Sequence, residues 1–143
     1  MGAGAAAVGV LAWLTALSVY DIRERRLPNW LTLPGAIAIL SVAATAGHGG
    51  PALLGAVTLA GLYLVVHLIA PTGMGAGDVK LAVGVGALTG VFGYDIWVLA
   101  AIAAPLLTAF VACAVFIRSA KTTVPHGPSM CLASAAAAML AIL

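Results

Sequence analysis

Long apolar stretches alternate with short polar connections along the chain, and this alternation predicts the architecture. A helix needs about 20 apolar residues to cross a bilayer. Stretches of this kind, with a shorter fourth and sixth member, lie at residues 2–20, 30–46, 52–70, 79–92, 96–117 and 129–143. We therefore predict an all-α integral membrane protein, a compact bundle of about six transmembrane helices that forms one domain over residues 1–143.

The composition agrees with a membrane location. Hydrophobic residues make up 64% of the chain and charged residues 7%, and the mean hydropathy is +1.19, whereas soluble domains carry roughly 25% charged residues. A chain this apolar has too few polar side chains to cover a surface that faces water. The net charge of +2 is too small to indicate a nucleic-acid partner, so the lipid bilayer is the expected environment.

The basic residues predict how the bundle is oriented. With six spans they all fall in the first, third and fifth connections, at Arg23, Arg25, Arg26, Lys80, Arg118 and Lys121. Cytoplasmic loops of membrane proteins carry the excess of lysine and arginine. We therefore expect a multi-pass protein of the inner or plasma membrane with both termini outside, in which Asp21, Asp78 and His126 lie on the cytoplasmic side.

Two of the four acids are distinguished by their positions. Asp95 falls on the outer side in a turn, and Glu24 lies among arginines, where a surface ion pair is expected. Asp21 and Asp78 lie where an apolar helix meets an inner loop. Two neighbouring carboxyls in such a place share a proton, so one acts as base and the other as acid, which is how aspartic proteases activate water. The structural alternative is that Asp78 caps the fourth helix and Asp21 pairs with Arg25.

A glycine-rich segment at residues 73–80 leads into the fourth helix. Gly75 and Gly77 remove side chains beside Asp78, so an extended peptide can approach the acid, and positive φ is open to them. A phosphate-binding loop needs GxxxxGK[ST] after a strand, which this segment does not provide. Lys80 is expected to be structural. No cluster of His, Cys and acids has metal-site spacing, so no metal or other cofactor is expected.

Three segments carry the most specific information, in order along the chain. The first is Asp21 with Arg23 and the string LPNWLTLP at residues 27–34, the second is GMGAGDVKLAVGVGALTG at 73–90, and the third is VPHGP at 124–128. Together they resemble the type IV prepilin peptidase family, whose members are integral-membrane aspartic proteases with a Gly-x-Gly-Asp motif, a first aspartate region and a late Pro-x-Gly-Pro segment.

The resemblance implies a function and a set of site residues. The two catalytic aspartates of the family map to Asp21 and Asp78, and the reaction is endoproteolysis of the leader of prepilin-like proteins at the cytoplasmic membrane face. Substrate-binding or site-shaping roles are expected for Gly75, Gly77, Lys80, Pro28 and Asn29. Larger family members also N-methylate the new N-terminus, using an extra region with paired cysteines. This chain resembles the short, peptidase-only form of Flp/Tad-type pilus systems, so methyltransferase activity is not expected.

Other functions remain open on the sequence. Paired intramembrane acids also relay protons or bind cations in non-enzymatic assembly or transport subunits, although such acids lie near mid-membrane. A peptidase of the same class acting on preflagellin-like substrates has the same residues. His67 is predicted to be a core or interface histidine, and the role of His126 cannot be read from the sequence.

Overall fold

A computed structural model describes residues 2–119 and 124–143, so Lys121 lies outside the described residues. The described part contains six α-helices and no strand, which confirms the all-α prediction. The helices are α1 (Gly2–Glu24), α2 (Asn29–Thr45), α3 (Gly49–Ile69), α4 (Ala76–Gly90), α5 (Tyr94–Ser119) and α6 (Gly127–Ile142). By length and composition, α1, α3 and α5 are long and apolar enough to cross a membrane, while α2 and α6 are shorter apolar helices.

Several helices begin earlier than predicted, which changes the setting of two acids. Helix α4 begins at Ala76, so Asp78 lies in its first turn rather than in a loop. Its N-cap is Gly75, in an extended conformation, so the structural alternative in which Asp78 is the N-cap of this helix is wrong. Asp95 likewise lies in the first turn of α5 rather than in a turn, where a carboxylate interacts favourably with the helix dipole.

The most buried helix is α4, which packs against α2, α3, α5 and α6. Leu81 and Val85 of α4 are among the largest fully buried side chains, together with Leu17 of α1 and Met130 of α6. Helix α1 packs mainly against α6. Four helices therefore surround α4, and Asp78 lies on the best-packed helix of the bundle.

Glycines allow α3 and α4 to approach closely. A Cβ added to Gly55 would overlap the carbonyl oxygen of Gly86, and one added to Gly90 would overlap the carbonyl of Pro51. Small residues at such contacts let helix backbones pack tightly where no water drives association. The Trp97 indole of α5 donates a hydrogen bond of 3.1 Å to the Gly55 carbonyl, which adds α5 to the same contact.

A second tryptophan joins α1 to its neighbours. The Trp13 indole N–H donates to the Leu31 carbonyl at 2.8 Å. Its ring lies directly against Gly35 of α2 and Gly84 of α4, where added Cβ atoms would overlap it. Three helices therefore meet around one aromatic side chain.

We expect Gly55→Val to destabilise the bundle, because its side chain would force α3 away from α4. Overpacking of this kind costs about 1–3 kcal/mol. The matched control is Gly61→Val, which changes the same helix at a position with nothing within 4 Å of an added Cβ. Thermal unfolding of the detergent-solubilised variants should show a lower midpoint for Gly55→Val only. Equal midpoints would contradict the close contact.

Candidate active site

Asp21 lies in the last turn of α1 and is only 7% exposed. Its Oδ2 accepts a hydrogen bond of 2.8 Å from the backbone N–H of Gly127, the first residue of α6. A Cβ on Gly127 would overlap this carboxyl, so the glycine is what allows the backbone to reach the acid. Residues 106 positions apart in sequence are thereby joined at one end of the bundle.

Asp78 lies half-buried in the first turn of α4. Burial, and to a lesser extent the nearby charge of Asp21, raise the pKa of its carboxyl to about 6, while a hydrogen bond from the Gly75 backbone acts in the opposite direction. The carboxyl therefore holds its proton well above the usual range for aspartate. The two acids are thus electrostatically coupled, as a proton-sharing pair requires.

Both acids line one cavity of about 230 Å³ at this end of the bundle. Its lining comprises Asp21, Arg25, Arg26, Leu27, Gly75, Ala76, Gly77, Asp78 and Lys80. The fold therefore brings together the two predicted catalytic residues and three of the five predicted site-shaping residues. The same cavity carries three cationic side chains, so the acids lie in a strongly polar setting at the end of an apolar bundle.

The two glycines that were predicted to shape the site make packing contacts. Gly77 faces Leu27, whose Cβ would lie 3.2 Å from a Cβ added to the glycine. Gly75 is extended and lies beside Asp78. A Cβ added to this glycine would be 3.6 Å from Asp78 Oδ2. Neither glycine uses positive φ, since φ of Gly75 is −73° and Gly77 is helical. Gly77 therefore lets α4 approach the segment that joins α1 to α2.

A side-chain hydrogen bond connects α4 to the start of α2, where Pro28 and Asn29 lie. The Lys80 ammonium donates to Asn29 Oδ1 at 2.7 Å, which is the structural role expected for this lysine. Pro28 is the N-cap of α2, and its carbonyl accepts the Thr32 hydroxyl at 3.2 Å. Pro28 and Asn29 do not line the cavity. Asn29 contacts it only through its hydrogen bond with Lys80, which does line it.

His126 takes part in a polar cluster that sequence reasoning missed. Its Nε2 lies 2.8 Å from the Tyr63 hydroxyl of α3, and its Nδ1 lies 2.6 Å from the Thr108 hydroxyl of α5. Burial lowers the pKa of His126 to about 4, so the ring is neutral at physiological pH. Tyr63 and Thr108 carry no sequence signal of their own, and only the VPHGP string pointed to this region.

His67 does not point into the cavity that holds the acids. Its Nδ1 hydrogen-bonds the Met74 carbonyl in the segment before α4, and the ring is half-buried. This contact agrees with the interface role predicted for His67, and it joins α3 to the residue before Gly75. Glu24 and Asp95 are both exposed and also lie outside the cavity.

The fold and composition define a helical membrane protein with two carboxyls in one terminal cavity. A model of the type IV leader peptidase family matches residues 8–117, which include both acids, so the chain belongs to this family. The VPHGP segment lies beyond the matched range. Comparison with curated proteins gives no match, and neither does comparison with solved structures. Membership supports a leader-peptidase function with protein substrates such as prepilin-like proteins.

We expect Asp78→Asn to make the protein more stable at neutral and alkaline pH. The pKa of Asp78 in the fold, about 6, lies above its usual value of 3.8. Its contribution to stability is therefore full below pH 3.8 and is lost as the pH rises through 6, because ionisation inside the fold is unfavourable. An asparagine does not ionise and avoids this loss.

The measurement is the difference in unfolding midpoint between variant and parent in detergent from pH 4 to pH 8. The difference should move in favour of Asp78→Asn across this range and level off above pH 7. A pH-independent difference for Asp78→Asn would show that burial does not penalise the charge.

Proposed function

We propose that this chain is a single-domain, membrane-embedded aspartic endopeptidase that removes the leader of prepilin-like proteins, with Asp21 and Asp78 as its catalytic pair. The observation that carries this proposal is the cavity shared by the two acids, in which the pKa of Asp78 is raised to about 6. Family membership supplies the peptidase class. N-methylation of the product is not part of the proposal.

The chemistry follows from one proton shared between two carboxyls. The ionised carboxyl takes a proton from a water molecule in the cavity, and the water oxygen attacks the scissile carbonyl carbon. The protonated carboxyl donates to the carbonyl oxygen, which gives a neutral tetrahedral intermediate. The carboxyl that took the proton from water then gives it to the leaving nitrogen, and the other carboxyl takes a hydroxyl proton as the C–N bond breaks and the C=O bond re-forms. Each aspartate is needed because neither can act as acid and base in the same step.

The position of the acids favours peptidase over transport chemistry. Asp21 lies in the last turn of α1, and Asp78 lies in the first turn of α4. A proton or cation pathway places its carboxyls within the membrane interior, whereas this cavity lies at the ends of helices beside their connecting segments. A peptide segment outside the bilayer can reach such a cavity, which supports the proteolytic reaction over an assembly or transport role.

The basic side chains around the cavity do not serve to bind the leader. Prepilin leaders are themselves basic, so Arg25, Arg26 and Lys80 would repel them. Their position is better explained by orientation, because lysine and arginine accumulate on the cytoplasmic side. We therefore place the cavity at the cytoplasmic membrane face. Preflagellin-like substrates have the same cleavage chemistry, and coexpression with each class of substrate distinguishes them.

Asp21→Asn and Asp78→Asn are each expected to abolish leader cleavage. Asparagine keeps the size of aspartate but does not take up or release the proton, and loss of an acid or base in such a unit costs about 100-fold or more in rate. The double variant should be little slower than either single variant, because the two groups act together. The measurement is leader removal from a coexpressed prepilin, normalised to membrane-inserted peptidase.

The matched controls are acids outside the cavity. Asp95→Asn and Glu24→Gln change exposed carboxyls and should cleave at close to the parental rate. If the acids were only structural, Asp21→Asn and Asp78→Asn would accumulate poorly but retain normal cleavage per molecule. Substantial normalised activity in either variant would rule out the paired-aspartate mechanism.

The orientation is tested by labelling single cysteines in a background without Cys113 and Cys131. Position 48 precedes α3, and position 119 ends α5. With both termini outside, a membrane-impermeant thiol reagent should label a cysteine at 48 in intact cells and one at 119 only after permeabilisation. Labelling of both from the same side would contradict six spans with alternating orientation.

A further inference from the structure

The histidine of the VPHGP segment contacts two neighbouring helices. His126 is the N-cap residue of α6, yet its side chain makes no capping hydrogen bond to that helix. Both ring nitrogens instead contact other helices, Nε2 with Tyr63 of α3 at 2.8 Å and Nδ1 with Thr108 of α5 at 2.6 Å. The ring therefore ties the start of α6 to two neighbouring helices.

The partners assign the ring protons. The Thr108 hydroxyl lies 3.1 Å from the Ala104 carbonyl, which can only accept, so the hydroxyl hydrogen is directed there. Nδ1–H of His126 then donates to the Thr108 oxygen, and Nε2 accepts from the Tyr63 hydroxyl. A neutral imidazole satisfies this arrangement with one donor and one acceptor. A phenyl ring at position 126 would fill the space but make neither contact.

The residue after His126 is the one that contacts Asp21. The Gly127 N–H donates to Asp21 Oδ2 at 2.8 Å in a buried setting, and a side chain at Gly127 would overlap the carboxyl. A hydrogen bond of this kind is sensitive to small displacements of the backbone, because its strength falls steeply with angle. Whatever fixes the backbone at residues 126–127 therefore fixes the carboxyl of Asp21.

We propose that His126 is a positioning residue for Asp21, acting through the Gly127 N–H and held by Tyr63 and Thr108. The inference rests on the proposed catalytic role of Asp21. Tyr63 also lies within electrostatic reach of Asp78. In this role His126 does not exchange protons with the substrate. It fixes the geometry in which Asp21 meets Asp78 and the water between them.

The experiment measures leader cleavage by purified full-length peptidase with a prepilin substrate. His126→Phe should lower kcat about tenfold or more with KM little changed, since misplacement of a catalytic group affects the reaction more than binding. His126→Gln retains a donor and an acceptor in its amide and should recover part of the loss. The matched control is His48→Phe, which alters the exposed N-cap residue of α3 and should be parental.

The pH–rate profile separates positioning from simple structural support. Donation from a backbone N–H favours the ionised form of a carboxyl, so a loosened Gly127 contact should move the acid limb of kcat/KM to higher pH in His126→Phe. The charge of Arg25 acts on Asp21, the charge of Asp21 acts on Asp78, and Arg26 and Lys80 line the same cavity; Cys131 also lies within electrostatic reach of both acids, and none of these groups is changed in this variant. Tyr63→Phe and Thr108→Val should each show a smaller effect that is not additive with His126→Phe.

Failure of this inference is distinguishable from failure of the proposed function. If Asp21→Asn is inactive while His126→Phe has parental kcat and an unshifted acid limb, positioning by His126 is wrong and the aspartate mechanism stands. A lower yield of His126→Phe with normal kcat per folded molecule also overturns it, because that is the result of structural support alone. If Asp21→Asn retains activity, the proposed function fails and the inference fails with it.

Discussion

The hydrogen bond between the Gly127 N–H and the Asp21 carboxyl is the interaction on which the geometry of the cavity depends. A carboxyl that is 7% exposed loses most of its hydration, and burial of a polar group is unfavourable unless a hydrogen bond replaces the water. Here the replacement comes from the first residue of α6 at 2.8 Å. Because the donor is a backbone group, the last turn of α1 must keep a definite position relative to the start of α6.

The other acid is held in place by packing. Helix α4 is surrounded by four other helices, and its glycines allow backbones to approach where larger residues would separate them. Gly86 serves the contact with α3, and Gly77 serves the contact with Leu27 beside Asp78. Glycines therefore allow close packing both at the centre of the bundle and between the first turn of α4 and the segment that joins α1 to α2. The apolar core and the polar cavity are parts of one packing arrangement.

The helices and the pairing of the acids could be predicted from the sequence because they depend on coarse properties. Apolar length indicated the helices, and the distribution of basic residues placed Asp21 and Asp78 at one end, where the structure also has them. The start of α4 was missed because the prediction followed apolar length, and the apolar stretch begins only at residue 79. Apolar length therefore assigned Asp78 to the glycine-rich loop before the helix.

The polar cluster around His126 could not be predicted, for a different physical reason. Its three side chains come from α3, α5 and the residue before α6, so its formation depends on how the helices rotate about their axes. In segments that are apolar on every side, hydrophobic periodicity carries no information on rotation. Once the helices are packed, the hydroxyl of the buried Tyr63 needs a partner, and His126 supplies it while also contacting the half-buried Thr108. These hydrogen bonds fix the position of residue 126, and with it the neighbouring N–H that contacts Asp21. The hydrogen bonds that buried polar groups need inside the bundle therefore also determine where the Asp21 carboxyl lies.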